Sequence, residues 1–187
     1  MRQIPENETP DVLPELMVRY QAGEMAAFEE IYRCLERSLR GYLRSLVAPG
    51  VELEDLLQNA FLQVHRSRRT YLPGQPVRPW VFAIARNVGL MARRSSGRRA
   101  RRETLADTEL PEIAVPSNAF ATLDRLTLER ALVSIADPGR EALWLHHIEG
   151  LSFREVGAVQ GISETAAKVR AHRALAELRQ RFAEKAS

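Results

Sequence analysis

Between positions 56 and 102 the chain carries eleven arginines and no acid. An ordinary solvated face mixes signs, so the natural counterion of this stretch is an external polyanion. Guanidinium groups suit that role, because their planar fork meets phosphate oxygens in pairs and stacks on bases. The excess of 25 Arg over 2 Lys adds nothing, since GC-rich coding produces it too. Other reactive side chains are scattered. His146 and His147 are adjacent on an expected helix, which turns their side chains about 100° apart. His65 and His172 fall in separate segments, and Cys34 is the sole cysteine. That excludes an internal disulfide and a Cys-based zinc site. No metal-ligand or catalytic-triad spacing is present, so no metal, cofactor or enzymatic activity is expected.

A second informative stretch runs from Leu151 to Phe182. Ser152 precedes Glu155 by three residues, the spacing of a capping box. The helix it opens is expected to bury Phe153, Val156 and Val159 and to stop at Gln160–Gly161, where glycine accepts a positive φ. Gly157 and Ala158 are expected to leave room for a close helix crossing, with Ile162 a buried turn residue. Ser163 then caps SETAAKVRAHRALAELRQRF. A short helix, a glycine turn and a capped second helix make a helix-turn-helix, whose second helix enters the major groove. Ala166 and Ala167 are small enough to let backbone approach DNA, while Lys168, Arg170, His172 and Arg173 have the reach for phosphates or base edges. A plain packed hairpin would also use a capping box. The basic second helix and the acid-free arginine stretch favour DNA.

Helices must position these groups. The chain has 187 residues, a net charge of +3, 45% hydrophobic and 27% charged residues. That fits a soluble protein of one domain or two small ones. The small net charge hides blocks of −5 over 1–55, +11 over 56–102, −5 over 103–124 and +2 over 125–187. Apolar residues recur at helical spacing and nowhere sustain an alternating pattern. Helices are expected over Val12–Ala22, Met25–Leu46, Leu53–Ser67 and Arg78–Arg94. The second aligns Phe28, Ile31, Leu35, Leu39, Leu43 and Leu46; the third aligns Leu53, Leu56, Leu57, Ala60, Phe61 and Val64. Pro49–Gly50 and the loop bearing Pro73, Gly74, Pro76 and Pro79 separate them. Residues 95–120 read as a flexible linker. Helices over Ala121–Ile135 and Gly139–Glu149 lead into the helix-turn-helix. The expected fold is all-α: two small helical domains, 12–94 and 121–184, on a tether. There is no run of about 18 apolar residues and no apolar N-terminal core, so neither a membrane span nor a secretory signal is expected, and the location is expected to be cytoplasmic.

Four segments occur in order: AGEMAAFEEIY (22–32), EDLLQNAFLQVHRS (54–67), RPWVFAIARNVGLMARR (78–94) and REALWLHHIEGLSFREVGAVQGISETAAKVRAHRALAELR (140–179). Together they closely resemble the extracytoplasmic-function (ECF) group of the sigma-70 family, the initiation factors of bacterial RNA polymerase. The resemblance covers about residues 12–94 and 121–182. It implies a sigma-2-like helical bundle that docks on core polymerase and recognises and melts the −10 element. It also implies a sigma-4-like helix-turn-helix that recognises the −35 element.

By that resemblance, EDLLQNAFLQV is similar to the helix that docks on the clamp coiled coil of the largest polymerase subunit, with Asp55, Leu56, Gln58, Asn59, Phe61 and Leu62 as its contacts. An acid and an amide beside an apolar strip suit another helix with a basic and apolar face, though Leu57 and Phe61 also read as core. The stretch HRSRRTYLPGQPVRPWVFAIARN resembles the melting and −10 surface, with Arg66, Arg68, Arg69, Tyr71, Arg78, Arg86, Asn87, Arg93 and Arg94 as candidates. Aromatic faces stack on bared bases and arginines track the strand; a flipped base would need a pocket in the loop from about Thr70 to Pro79. Trp80, Ile84 and Val88 read as core, as does Phe82, and Asn87 reads equally as a contact or a helix-end residue. The −35 candidates are Ser163, Glu164, Thr165, Ala166, Lys168, Val169, Arg170, His172 and Arg173, with Arg140 and Glu141 in the preceding helix as backbone-positioning residues.

The chain departs from the family pattern at three places. Thr165-Ala166-Ala167 stands where the family has a Gly-Thr-Val-like step, which changes the base edges that can be read. SIADPGRE lacks the usual Leu-Pro, and Met91 replaces a common acid. The linker would thread near the RNA exit path. Its acids Asp107, Glu109 and Glu112 either mimic nucleic acid or merely solvate a tether. The resemblance implies core RNA polymerase, promoter DNA and an anti-sigma factor as partners. Cys34 reads as a redox handle or a small core residue. A one-component helix-turn-helix repressor or activator is the alternative; it explains the C-terminal motif and leaves the clamp-like helix without a role.

Overall fold

The computed structural model describes residues 11–47, 50–100, 132 and 138–185. The helix expected over Ala121–Ile135, Leu132 excepted, and the linker beyond Ala100 lie outside the described residues. Among the described residues every regular element is helical. They form an N-terminal and a C-terminal lobe.

In the N-terminal lobe, α1 spans Leu13–Gln21, α2 Met25–Leu46, α3 Leu53–Ser67 and α4 Val77–Ala100. Pro14 sits in the first turn of α1, where its missing N–H is no loss. Gly23, at φ +103°, ends that helix, and the Glu24 N–H returns to the Arg19 carbonyl at 3.1 Å. α1 buries Leu13, Leu16, Met17 and Tyr20, one stripe at helical spacing. α2 turns Ala27, Ile31, Leu35, Leu39, Tyr42, Leu43 and Leu46 inward. α3 contributes Leu56, Leu57, Ala60, Phe61 and Val64. Pro79 is accommodated in the first turn of α4, which buries Val77, Val81, Phe82, Ala85 and Val88. Trp80 and Ile84, expected as core, are half-buried and packed on its edge.

α4 continues to Ala100, past the stop expected at Arg94. Ser and Gly weaken a helix by about 1 kcal/mol or less without breaking it. Ser95 folds its hydroxyl back onto the Ala92 carbonyl at 2.7 Å, so it acts as a helical residue.

The C-terminal lobe begins with α5, Gly139–Leu143, which widens into a π-helical turn over Trp144–Ile148. α6 spans Phe153–Gln160 and α7 Glu164–Lys185. Its core is Ala142, Leu143, Trp144, Leu145, Leu151, Val156, Val159, Ala167, Ala171, Ala174 and Leu178. α5 approaches α7 closely because Gly139 faces Ala174: a Cβ on that glycine would stand 2.8 Å from the alanine's Cβ.

The two lobes touch. α6 lies along α4, and one apolar cluster continues from the first lobe into the second. Nothing in the sequence predicts this contact.

Candidate nucleic-acid interface

Between α2 and α3 an open groove of about 540 Å³ is lined by Phe28, Tyr32, Leu57, Phe61 and Leu62, with Glu54, Asp55, Gln58 and His65 at its edges. The rings pack on one another: Tyr32 and Phe61 centroids lie 4.5 Å apart, and Tyr20 and Phe28 5.0 Å. Tyr20 also meets His65 Nδ1 through its hydroxyl at 2.6 Å, which fixes the groove's far wall. Glu54 is held by Arg40 of α2; Asp55 stands exposed. Of the expected docking residues, Asp55, Gln58, Phe61 and Leu62 share this groove. Leu56 is instead buried in the bundle, and Asn59 accepts a bond from Gln63 outside it. The arrangement fits an amphipathic helix with an apolar stripe and a basic edge.

The arginine-rich stretch falls on the end of α3, the following loop and α4. Arg66, Arg69, Asn87, Arg93 and Arg94 are exposed. Arg68 is half-buried; it caps α3 through the His65 carbonyl at 2.7 Å and lies 5.9 Å from the centre of the Tyr20 ring. Tyr71 corrects an expectation. Its ring is 2% exposed, set edge-on to Trp80 at 5.6 Å, and its hydroxyl donates to the Gln75 carbonyl. It pins the loop from beneath and has no face free for a base. Leu72 of that loop is 68% exposed.

In the C-terminal lobe the expected motif is present. Glu155 N–H donates to Ser152 Oγ at 3.3 Å, and Ser152 N–H donates to the Glu155 carboxylate at 2.8 Å. Gly161 sits at φ +69°, in the left-handed region. Ser163 Oγ accepts from the Ala166 N–H at 3.2 Å and starts α7. Ser163, Glu164, Thr165, Lys168, Val169, His172 and Arg173 are exposed along α7, with Ala166 half-buried. Ala167 is fully buried, so it serves the helix crossing and not an approach to DNA; Ala158 is exposed and takes no part in that crossing; Ile162 and Phe153 are only half-buried.

Arg78 and Arg86 face the other lobe. Arg78 Nη2 donates to Glu149 Oε2 at 2.9 Å. Arg86 Nε donates to Glu141 Oε1 at 2.8 Å, and the same oxygen accepts a hydrogen bond from the Tyr42 hydroxyl at 2.6 Å. Glu141 Oε2 accepts from Gln160 Nε2 at 2.9 Å, and Gln160 Oε1 accepts from Arg170 Nη1 at 3.3 Å. The Glu141 and Glu149 side chains are 4% and 0% exposed. A carboxylate so buried is tolerable only when its oxygens are filled; donors from both lobes fill those of Glu141. Burial, and then the Glu141 charge, push the Tyr42 pKa well up, so the phenol stays a donor. The π turn helps: it lets the Glu149 N–H reach the Trp144 carbonyl at 3.1 Å while Trp144 Nε1 donates to Glu149 Oε1 at 3.3 Å.

Sequence reasoning missed Glu149, Gln160 and Tyr42, and gave Glu141 a different part. The signal available was the lack of any acid in a +11 block, which leaves its inward cations to find partners elsewhere. Cys34 is exposed on α2 and is not a core residue.

Comparison with known proteins follows the two lobes. Residues 31–99 match the family model for sigma-70 region 2, and residues 125–178 that for sigma-70 region 4. The chain is 38% identical over 168 residues to the RNA polymerase sigma factor CarQ of Myxococcus xanthus, covering 90% of this chain and 96% of that one. It is 37% identical over 182 residues to the ECF RNA polymerase sigma factor SigF of Caulobacter vibrioides, covering 94% and 96%. Its fold is similar to that of CnrH solved with the cytosolic domain of CnrY (TM-score 0.69, 22% identity, 95% and 100% covered). It is also similar to that of RpoE solved with the anti-sigma factor NepR from Bartonella quintana (TM-score 0.67, 23% identity, 82% and 94% covered).

Proposed function

The chain belongs to the extracytoplasmic-function sigma factors of the sigma-70 family, and from that premise we propose how its surfaces divide the work. As a sigma factor it binds core RNA polymerase and directs promoter recognition, DNA melting and initiation. Residues 12–94 dock and melt, residues 121–184 read the −35 element, and residues 95–120 tether them. The groove between α2 and α3 receives the clamp coiled coil of the largest polymerase subunit. Phe61 and Leu62 supply apolar contact there; Asp55 and Gln58 meet its basic edge. Arg66, Arg69, Asn87, Arg93 and Arg94 line the path of the opened strand, and Arg68, Arg78 and Arg86 join them when released from their present partners. Thr165, Lys168, Val169, His172 and Arg173 face the −35 major groove, with Arg170 beside them and Ser163 and Glu164 at the helix start.

One observation supports this division above the rest: an aromatic groove with an acidic edge sits beside the arginine-rich face. A one-component repressor has no use for such a groove. The protein itself is not an enzyme; it works in the cytoplasm beside the polymerase. Its two fold relatives were solved with CnrY and with the anti-sigma factor NepR, and we infer an anti-sigma partner for this chain as well. Among the described residues no helix is long and apolar enough to cross a membrane. The test is run-off transcription: core polymerase mixed with the purified protein should start from a cognate promoter. Binding to promoter DNA without any binding to core polymerase would overturn this in favour of the repressor.

A further inference from the structure

Gln160, the last residue of α6, is a polar side chain in a residue only 6% exposed. A buried amide needs partners for its hydrogens and for its carbonyl, and Gln160 finds them on both sides of its own helix. Its Nε2 donates to Glu141 Oε2 of α5 at 2.9 Å and, more loosely, to the Pro138 carbonyl at 3.3 Å. Its Oε1 accepts from Arg170 Nη1 of α7 at 3.3 Å. The amide cannot sit the other way round. Reversed, it would aim hydrogens at a guanidinium, which only donates, and an oxygen at a carboxylate, which only accepts. These partners all belong to the C-terminal lobe and move with it. The α7 backbone is fixed at this level too: the Arg170 carbonyl lies 3.5 Å from where a Cβ on Gly139 would stand. Arg170 is half-buried beside the exposed Lys168, Val169, His172 and Arg173.

We propose that Gln160 is a positioning residue for −35 recognition: it touches no DNA and acts by setting the plane of the Arg170 guanidinium, so that Arg170 reads a guanine edge and not merely a phosphate. This rests on the reading of Arg170 as a −35 contact. With the helix backbone fixed, the aim of the side chain is what remains to be set. A guanidinium has more donors than one carbonyl can use, so the Gln160 carbonyl can hold one Nη from inside the lobe while the others point outward. Glu141 strengthens that hold, because a carboxylate drawing on the amide hydrogen polarises the amide and makes its oxygen a better acceptor. The aim matters for bases more than for phosphates. Guanine O6 and N7 are met by two parallel N–H groups in one plane, whereas a phosphate accepts from many directions. An arginine held in advance also loses less side-chain entropy on contact. Gln160 therefore bears on base discrimination first and on overall affinity second.

The test uses holoenzyme formed from the full chain and core polymerase, on cognate templates that differ only at single −35 base pairs; run-off transcription gives the preference at each position. Gln160→Leu should lower the preference at one G·C pair roughly three- to tenfold, a part of what a bidentate arginine contact supplies, and leave the other positions as they were. The salt dependence of promoter binding should keep its slope, because the phosphate contacts are the same. In an Arg170→Ala background Gln160→Leu should change selectivity no further, as expected of two residues acting through one contact. Circular dichroism melting scores stability apart from selectivity. Arg170→Lys leaves α6 untouched and replaces the planar fork by a rotating ammonium; it should flatten the same position even if the Gln160 variant does not fold. An equal fall on every template overturns the proposal, as would a merely structural role for Gln160. So does a loss of selectivity that persists without Arg170, or full discrimination by Arg170→Lys. An Arg170→Ala variant with undiminished discrimination overturns the −35 reading of Arg170 and the proposal with it. Failure of the functional reading shows separately, as an unsubstituted protein that cannot direct core polymerase.

Discussion

Gly157 lies so close to the turn of the helix-turn-helix that a Cβ on it would stand 2.7 Å from the Ile162 carbonyl oxygen and 3.3 Å from the Glu164 nitrogen. Both neighbours are backbone and cannot rotate away. Gly157→Ala should therefore destabilise the C-terminal lobe by about 1–3 kcal/mol, in the range of overpacking. Thermal melting should shift down and −35-dependent transcription should fall. Ala158→Ser, at the exposed neighbour, should leave both unchanged.

Tyr42→Phe tests the buried carboxylate. Glu141 would lose a 2.6 Å hydrogen bond and keep Arg86 and Gln160. Removing one donor from a buried acceptor costs about 1–3 kcal/mol. A lower melting temperature with unchanged helicity is the expected outcome, read by circular dichroism; an unaltered melting curve would show that the phenol contributes nothing net.

Asp55→Arg addresses docking. Asp55 is exposed on the groove edge and is not part of the bundle core. A charge reversal there should leave melting unchanged and weaken core polymerase binding by about tenfold or more, as opposed charges become like charges. Competition for core enzyme against the unsubstituted protein measures it.

Arg173→Ala and Arg170→Ala should both reduce transcription from promoters that depend on the −35 element. Arg173 is exposed, so its loss should act on DNA alone. Arg170 also holds Gln160, so its loss should lower the melting temperature as well. Equal melting shifts for the two would contradict the Gln160 contact.

Much of this architecture was readable from residue spacing. α2 and α3 begin and end where periodicity and the Pro49–Gly50 break place them, because seven or so apolar positions in register leave little choice of face. The capping box and Gly161 follow from local chemistry that needs no tertiary partner. What escaped depends on the neighbour across the gap. A tyrosine suits a base or a core equally, and it is the packing around it, with Trp80 edge-on to its ring, that leaves Tyr71 buried. Ala167 looked outward by composition, yet it meets α6. The end of α4 lies past Arg94 because Ser and Gly lower helix propensity without breaking a helix already under way. Of the six residues expected to dock, Asp55, Gln58, Phe61 and Leu62 line one groove, while Leu56 and Asn59, on the same helix, are not part of its lining. Glu141 and Glu149 could not be chosen among the acids, since pairing over 55 and 71 residues leaves no local trace.

Free DNA should be bound weakly and with strong salt dependence. The acids Glu164 and Glu177 offset part of the cationic charge of α7, and phosphate contacts weaken steeply as salt rises. Nanomolar affinity of the intact free protein at physiological salt would contradict this.

Arg78 and Arg86 of the arginine-rich bundle borrow their counter-charges from acids 71 and 55 residues further along the chain. Severing the two halves therefore separates those two cations from the acids that pair with them. The amino-terminal piece would show bare guanidinium groups to any passing polyanion, and the carboxy-terminal piece would hydrate two acids it normally keeps dry. Dissected pieces would overstate how avidly the intact protein seizes nucleic acid, and they would understate how far its two halves depend on each other for charge balance.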